Sequence, residues 1–164
     1  MIFSMQGMIA GMEKLNLKIP PVPVAIICGV IIWAFAAFVG THSLGVEIRQ
    51  SIALLLLSMA VLIDLGALLI FLRAKTTIDP RYPHKTSTMV TTGIYRFSRN
   101  PMYLGLALLL AALSLWLGAR FGLFVVAAFI LYMNRFQIEP EEQALEMQFG
   151  ETYLNYKNSV RRWI

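Results

Sequence analysis

Four stretches of this chain stay apolar for about the distance that a bilayer demands. They run from about Ile19 to Val39, Ser51 to Leu72, Pro101 to Ala119 and Phe121 to Ile138. A helix needs about 20 residues to cross a hydrocarbon core, and backbone groups in lipid must bond within their own segment, so helices are the expected solution. The runs are rich in Leu, Ala and Ile and lack the period-2 alternation of a membrane barrel. Of the 164 residues, 58% are apolar and only 14% are charged, against about a quarter charged in soluble domains. A water-soluble fold of this size could not hide so much apolar surface. Cys28 is the single cysteine, which excludes an intrachain disulfide framework. The expected fold is an all-α integral membrane protein, one domain over residues 1–164. It has four transmembrane helices, a polar loop over 73–100 and interfacial helices over 140–164. Residues 1–18 fit either an interfacial helix or a disordered tail. The long polar stretch before the first run argues against a cleaved leader.

The net charge of +5 suggests nucleic acid until the charges are placed. With four spans, both ends of the chain and the 73–100 loop share one side. That side carries Lys14, Lys18, Arg73, Lys75, Arg81, Lys85, Arg96, Arg99, Arg135, Lys157, Arg161 and Arg162, and the other only Arg49 and Arg120. Such a bias assigns the basic side to the cytoplasm, and orientation then accounts for the charge without a nucleic-acid partner.

The remaining polar residues gather in two places. The loop is too polar to span, and Tyr82, Tyr95, Phe97 and Tyr103 favour order in it. Asn100-Pro101 reads as a helix start, with Asn as N-cap and Pro at the first helical position. The fourth span ends at Arg135, Glu139, Pro140, Glu141 and Glu142. Pro140 predicts a kink or a restart, and the acids would suit the positive end of the new helix. Arg135 lies about 22 Å of helix from the outer turn, where it would snorkel to the interface. Arg135, Glu139 and Glu142 also share one helix face, which is what the rim of a buried polar pocket would present. In the tail, Tyr153, Tyr156, Arg161, Arg162 and Trp163 suit the headgroup layer. Asp64, in mid-span, must face a partner or a cavity. His84 and His42 are predicted on opposite sides, and no metal-ligand spacing occurs. Rossmann, P-loop and nucleophile-elbow signatures are also missing.

Two blocks carry a resemblance. The first is Met89-Val90, Gly93, Tyr95, Arg99-Asn100-Pro101, Tyr103 and Gly105. The second is Arg135, Glu139, Glu141-Glu142, Leu145, Phe149-Gly150, Tyr153 and Tyr156. Together they resemble the isoprenylcysteine carboxyl methyltransferase family, and the related phospholipid N-methyltransferases share the four-span plan and the paired glutamates. The resemblance implies methyl transfer from S-adenosylmethionine (SAM) to an acceptor at the membrane, leaving S-adenosylhomocysteine. It implies SAM contacts from Ser87, Thr88, Met89, Val90, Tyr95, Asn100, Pro101, Met102 and Tyr103. Glu139 would contact SAM too, with Glu142 as the alternative carboxylate, and Arg135 would sit at the acceptor. The eukaryotic enzymes carry His where this chain has Asn100, so a proton-transfer role there is not expected.

The acceptor expected is lipid-like or prenylcysteine-like, with carboxylate O-methylation favoured. A carboxylate needs no base, and Arg135 could clamp it, with Glu139 as the second catalytic residue. A phospholipid amine or a small thiol would have to lose a proton, which makes Glu139 or Glu142 the candidate base. Two other classes compete. An NADPH-dependent membrane reductase would need Lys85, Arg96 and Arg99 for phosphates, and a non-enzymatic bundle would bind neither cofactor. Oligomeric state is not legible in the sequence.

Overall fold

Pro21 and Pro23 open the first helix, α1 (Pro21–Phe38), where a missing N–H costs no internal bond. The structure is a computed structural model and describes residues 17–39, 45–74 and 89–164. Residues 1–16, 40–44 with His42, and 75–88 with Tyr82, His84, Ser87 and Thr88 lie outside the described residues.

Helix α2 (Val46–Ala74) is longer at both ends than the expected Ser51–Leu72 span. A short 3-10 turn at Gly93–Arg96 precedes α3 (Pro101–Leu117). The hairpin partner α4 (Gly122–Met133) passes through a π-helical turn, Asn134–Ile138, directly into α5 (Glu139–Phe149). Helix α6 (Glu151–Ser159) follows, and the last residues leave the helix. No β-strand occurs among the described residues. Three helical runs are long and apolar enough to cross a membrane: Pro21–Phe38, Val46–Ile70 and Gly122–Phe149. The apolar part of the third ends at Ile138, where the glutamates begin. Helix α3, at 17 residues, is also apolar and about 25 Å long at 1.5 Å per residue.

Helix α3 is the centre of the bundle. It contacts α1, α2 and α4 and buries Tyr103, Gly105, Ala107, Leu110, Ala112 and Ser114. The small residues among these let neighbouring backbones approach closely, the usual basis of helix contact in lipid. Helix α2 answers in kind: Ala53, Ala60 and Ala67 recur every seven residues and are almost fully buried. A seven-residue repeat keeps one seam against a partner helix. Large apolar side chains point outward, as Ile26, Val30, Leu55, Leu62 and Phe124 do. That inside-out arrangement is stable only where the solvent is lipid.

Close approaches fix the register of α3. Asp64 of α2 lies against Gly105, in the space that a Cβ would occupy. The costly mid-span carboxylate therefore faces the interior of the bundle, as its position demands. At the opposite end of α3, Gly118 takes a left-handed conformation (φ 68) and ends the helix. Arg49 packs where a Gly118 side chain would be, bringing a cation to the negative end of the helix dipole.

Helical structure continues through Pro140, so the expected restart is not found. The π turn ends with the Glu139 N–H bonded to the Asn134 carbonyl. It widens the backbone just ahead of the proline, whose missing N–H then falls in the first turn of α5. The Phe136 carbonyl within this turn accepts a bond from the Leu17 N–H at 3.0 Å, and Gln137 Nε2 donates to the Ile19 carbonyl at 2.8 Å. The segment before α1 is thereby tied to the π turn.

A Gly105→Ala substitution should push into the Asp64 carboxylate. Overpacking of this kind costs about 1–3 kcal/mol, read as a drop of several degrees in the melting temperature in detergent. The Asp64→Ala/Gly105→Ala double variant should recover more than half of that loss, a non-additivity expected of touching groups.

Candidate functional site

The site is built where the 89–103 segment meets the junction of α4 and α5. Residues 89–91 run without regular structure into Thr92, which is extended, and the chain then turns at Gly93 (φ 61). A Cβ there would strike Ile70 of α2, so glycine is needed for conformation and for space. The 3-10 turn directs Tyr95 inward, leaving it 7% exposed, and its carbonyl accepts a bond from the Tyr156 hydroxyl at 2.7 Å. Asn100 occupies the N-cap position before Pro101 as expected, but its side chain does not cap α3. Its Nδ2 instead donates to the Arg162 carbonyl at 3.1 Å, and its N–H bonds to Ser98 Oγ at 3.1 Å. Tyr103, one turn into α3, donates its hydroxyl proton to Glu141 Oε1 at 2.5 Å.

Opposite stands the acidic start of α5. Glu142 is 5% exposed and is gripped by two arginines. Arg99 Nη2 reaches its Oε1 at 2.8 Å; Arg162 spans both oxygens, Nη2 to Oε2 at 2.8 Å and Nε to Oε1 at 3.2 Å. A planar guanidinium fork is suited to this paired recognition. Arg99 also closes the end of α6, donating Nη1 to the carbonyls of Lys157 at 2.6 Å and Val160 at 2.7 Å. Glu139 is held loosely. Its Oε2 lies 3.5 Å from Arg135 Nη1 and its Oε1 lies 4.0 Å from Arg162 Nη1. Arg135 and Glu139 side chains are 38% and 41% exposed.

The tail after α6 folds back onto the loop before α3 and the π turn. The Arg99 N–H donates to the Arg161 carbonyl at 3.0 Å, and Trp163 Nε1 donates to Asn134 Oδ1 in the π turn at 3.0 Å. The expected membrane anchors Arg162 and Trp163 are therefore internal ties. Beside the tail, an open groove of about 500 Å³ lies between residues 89–96 and α6, with Met89, Arg96, Asn155 and Tyr156 among its lining.

Electrostatics separate the three glutamates. Burial alone would raise the Glu142 pKa, but hydrogen bonds and charge from Arg162 and Arg99 overcome it and hold the carboxyl below its ordinary range. Glu141, which lacks an arginine, is pushed up to about 8 by burial, against the Tyr103 hydrogen bond and with added repulsion from Glu142. Tyr95 is pushed upward by burial and by Tyr156, Glu141 and Asp64, which places Asp64 electrically close to the site although it sits on α2.

The predicted residues thus divide. Tyr95, Asn100, Pro101 and Tyr103 converge on one wall, while Arg135, Glu139 and Glu142 form the other. Met89 lines the groove, and Val90 and Met102 are half-buried nearby in sequence. Arg99, Glu141 and Arg162 were not among the expected site residues. Glu141 stood in a quoted motif, and Arg162 carried no signal beyond its charge. Arg99, considered for phosphate binding in a reductase, is committed to Glu142 and to the end of α6.

The glutamates should respond to pH with opposite signs. Glu142 has a lowered folded pKa, so its stabilisation is complete above the ordinary carboxylate value and is lost as pH falls below it. Glu142→Gln should melt lower than wild type at neutral pH, by about 2 kcal/mol given a partly solvated Arg162, and should flatten the acid limb. Glu141 has a raised folded pKa, so wild type loses stability as pH climbs from the ordinary carboxylate value through about 8. Glu141→Gln should remove that decline in melting curves taken across the range.

Comparison with known proteins places the chain in a family. The phospholipid methyltransferase family profile matches residues 48–152, from the start of α2 into α6. An uncharacterized protein of Haemophilus influenzae is 51% identical over 63 residues, which is 38% of this chain and the whole of that protein. No solved structure matches. The matched region contains both walls of the site and all of α3, and the chain belongs to the phospholipid methyltransferase family, a family of membrane methyltransferases.

Proposed function

We propose that the protein is a SAM-dependent methyltransferase that works at the cytoplasmic face of a membrane on the amine of a phospholipid. The observation that carries this reading is the pairing of two walls across one end of an apolar bundle. One wall offers aromatic and amide groups, the other carboxylates of unequal basicity. The residues suit the cofactor. Glu139 keeps acceptor capacity for ribose hydroxyls or an ammonium, since both of its arginine contacts are long. The first N–H groups of α3 could take a carboxylate, and Tyr103 could offer an aromatic surface beside a cation.

When bound, SAM supplies a methyl carbon on a sulfonium; the acceptor lone pair takes that carbon while the S–C bond electrons return to sulfur. The chain's own work is alignment and exclusion of water. Glu142, saturated by Arg99 and Arg162, braces the site and is set aside as a cofactor ligand or base. An ammonium acceptor must first lose a proton. Glu139, the open carboxylate, is the candidate to receive it. Arg135, beside Glu139 and half-exposed, suits the lipid phosphate. The second reading keeps Arg135 as the clamp of a carboxylate acceptor, which its exposure also favours.

Purified protein in detergent should bind SAM in calorimetry, and Glu139→Ala should weaken that binding at least about tenfold, or about 1.4 kcal/mol. Wild-type affinity in this variant would remove Glu139 from the site. Incubation with methyl-labelled SAM and native lipid extract should place label in an alkali-stable phospholipid headgroup. Label released by alkali as methanol would instead identify a carboxyl ester and favour the second reading.

A further inference from the structure

The two walls meet directly through Tyr103 on Glu141 and Arg99 on Glu142, and the C-terminal tail adds a bridge from Asn100 to Glu142. Its Arg162 carbonyl accepts the Asn100 Nδ2 bond at 3.1 Å and lies 3.5 Å from Ser98 Oγ. Its guanidinium closes on Glu142 and approaches Glu139 at 4.0 Å. One residue thus reaches, through main chain and side chain, the loop before α3 and two of the carboxylates of α5, Glu139 and Glu142. The flanking residues secure it: Arg161 through the Arg99 N–H, and Trp163 through Asn134, where its ring packs against the apolar core.

From this juxtaposition we infer that Arg162 is a positioning residue that joins the two walls of the cofactor site, with the tail Val160–Trp163 forming part of its floor. The inference rests on the methyltransferase reading above. Its physical basis is a division of labour between the glutamates. Arg162 saturates Glu142 with a bidentate fork, which a lysine ammonium cannot reproduce. The same cation stands near Glu139 without engaging it closely, so it biases that carboxylate while leaving its oxygens available. The carbonyl of the same residue orients the Asn100 carboxamide by taking one of its two N–H donors. A removable plug would show few ties, whereas this tail leaves a buried carboxylate short of one arginine if it departs.

The test uses the full chain in detergent with SAM as the probe. Arg162→Lys should raise the KM and the Kd for SAM about tenfold while kcat stays within about twofold, the split expected when ground-state binding is lost. Hydrogen exchange of residues 160–164 in wild type should slow on SAM addition. Should Arg162→Lys fail to fold, Trp163→Phe, which removes the indole N–H bond to Asn134 and part of the ring packing, should weaken SAM binding about threefold with a smaller change in melting temperature. Unchanged SAM affinity in these variants, with wild type binding normally, overturns the inference and leaves the methyltransferase reading standing. Tighter binding after deletion of 160–164 also overturns it, because the tail would then be a plug. A wild-type protein that binds no SAM removes the reading itself, and the inference with it.

Discussion

The buried carboxylate of Glu142, shared by Arg99 and Arg162, is the interaction on which the polar end of this protein depends. A charge with 5% exposure is tolerable only when paired and fully hydrogen-bonded. Both arginines come from elsewhere in the chain, one from the loop before α3 and one from the tail after α6. Satisfying one carboxylate therefore brings together three segments distant in sequence. Replacing such a triad with apolar residues need not weaken the fold. What the ions add is directional: a fork on a carboxylate fixes orientation as well as distance. On the proposed function, a site that aligns a water-soluble donor with a lipid needs that kind of definition.

Beneath it the apolar bundle does simpler work. Helix α3 is central because its small residues let α1, α2 and α4 approach, and the alanine seam of α2 matches it. The two polar intrusions into this layer are both answered by glycine. Asp64 uses the space at Gly105, and Arg49 uses the space at Gly118. The π turn between α4 and α5 serves the site in another way. It carries the helix past Pro140 without a break, delivering Glu139, Glu141 and Glu142 on a rigid element. It also anchors the segment before α1 through Phe136 and Gln137 and the tail through Asn134. Such turns recur at functional sites because they reset the helix face that follows.

The division among the glutamates is the chemical consequence. Three carboxyls within four residues of one helix would be expected to act alike, yet each has a different environment. Glu142 is a fixed anion, Glu141 is a half-buried acid hydrogen-bonded by Tyr103, and Glu139 stands open beside Arg135. Environments pushed apart in this way give neighbouring carboxyls different basicities, which the proposed function uses.

The apolar runs, their helical character and the hairpin of the last two spans were legible in the sequence, because lipid permits few backbone solutions and length alone identifies them. The two motif blocks were legible as neighbours in function, although not in how they meet. Asn100 illustrates the limit: its place before Pro101 was readable, but whether its amide caps α3 or binds Arg162 depended on where the tail lies. The tail itself read as a headgroup anchor, since Arg, Trp and Tyr at an apolar boundary look the same whether they face lipid or fold inward. Only the tertiary structure decided that Arg162 meets Glu142 and that Asp64 meets Gly105. Pairings across long sequence separation leave no periodicity in the chain, and a buried charge declares its partner only when the space around it is known.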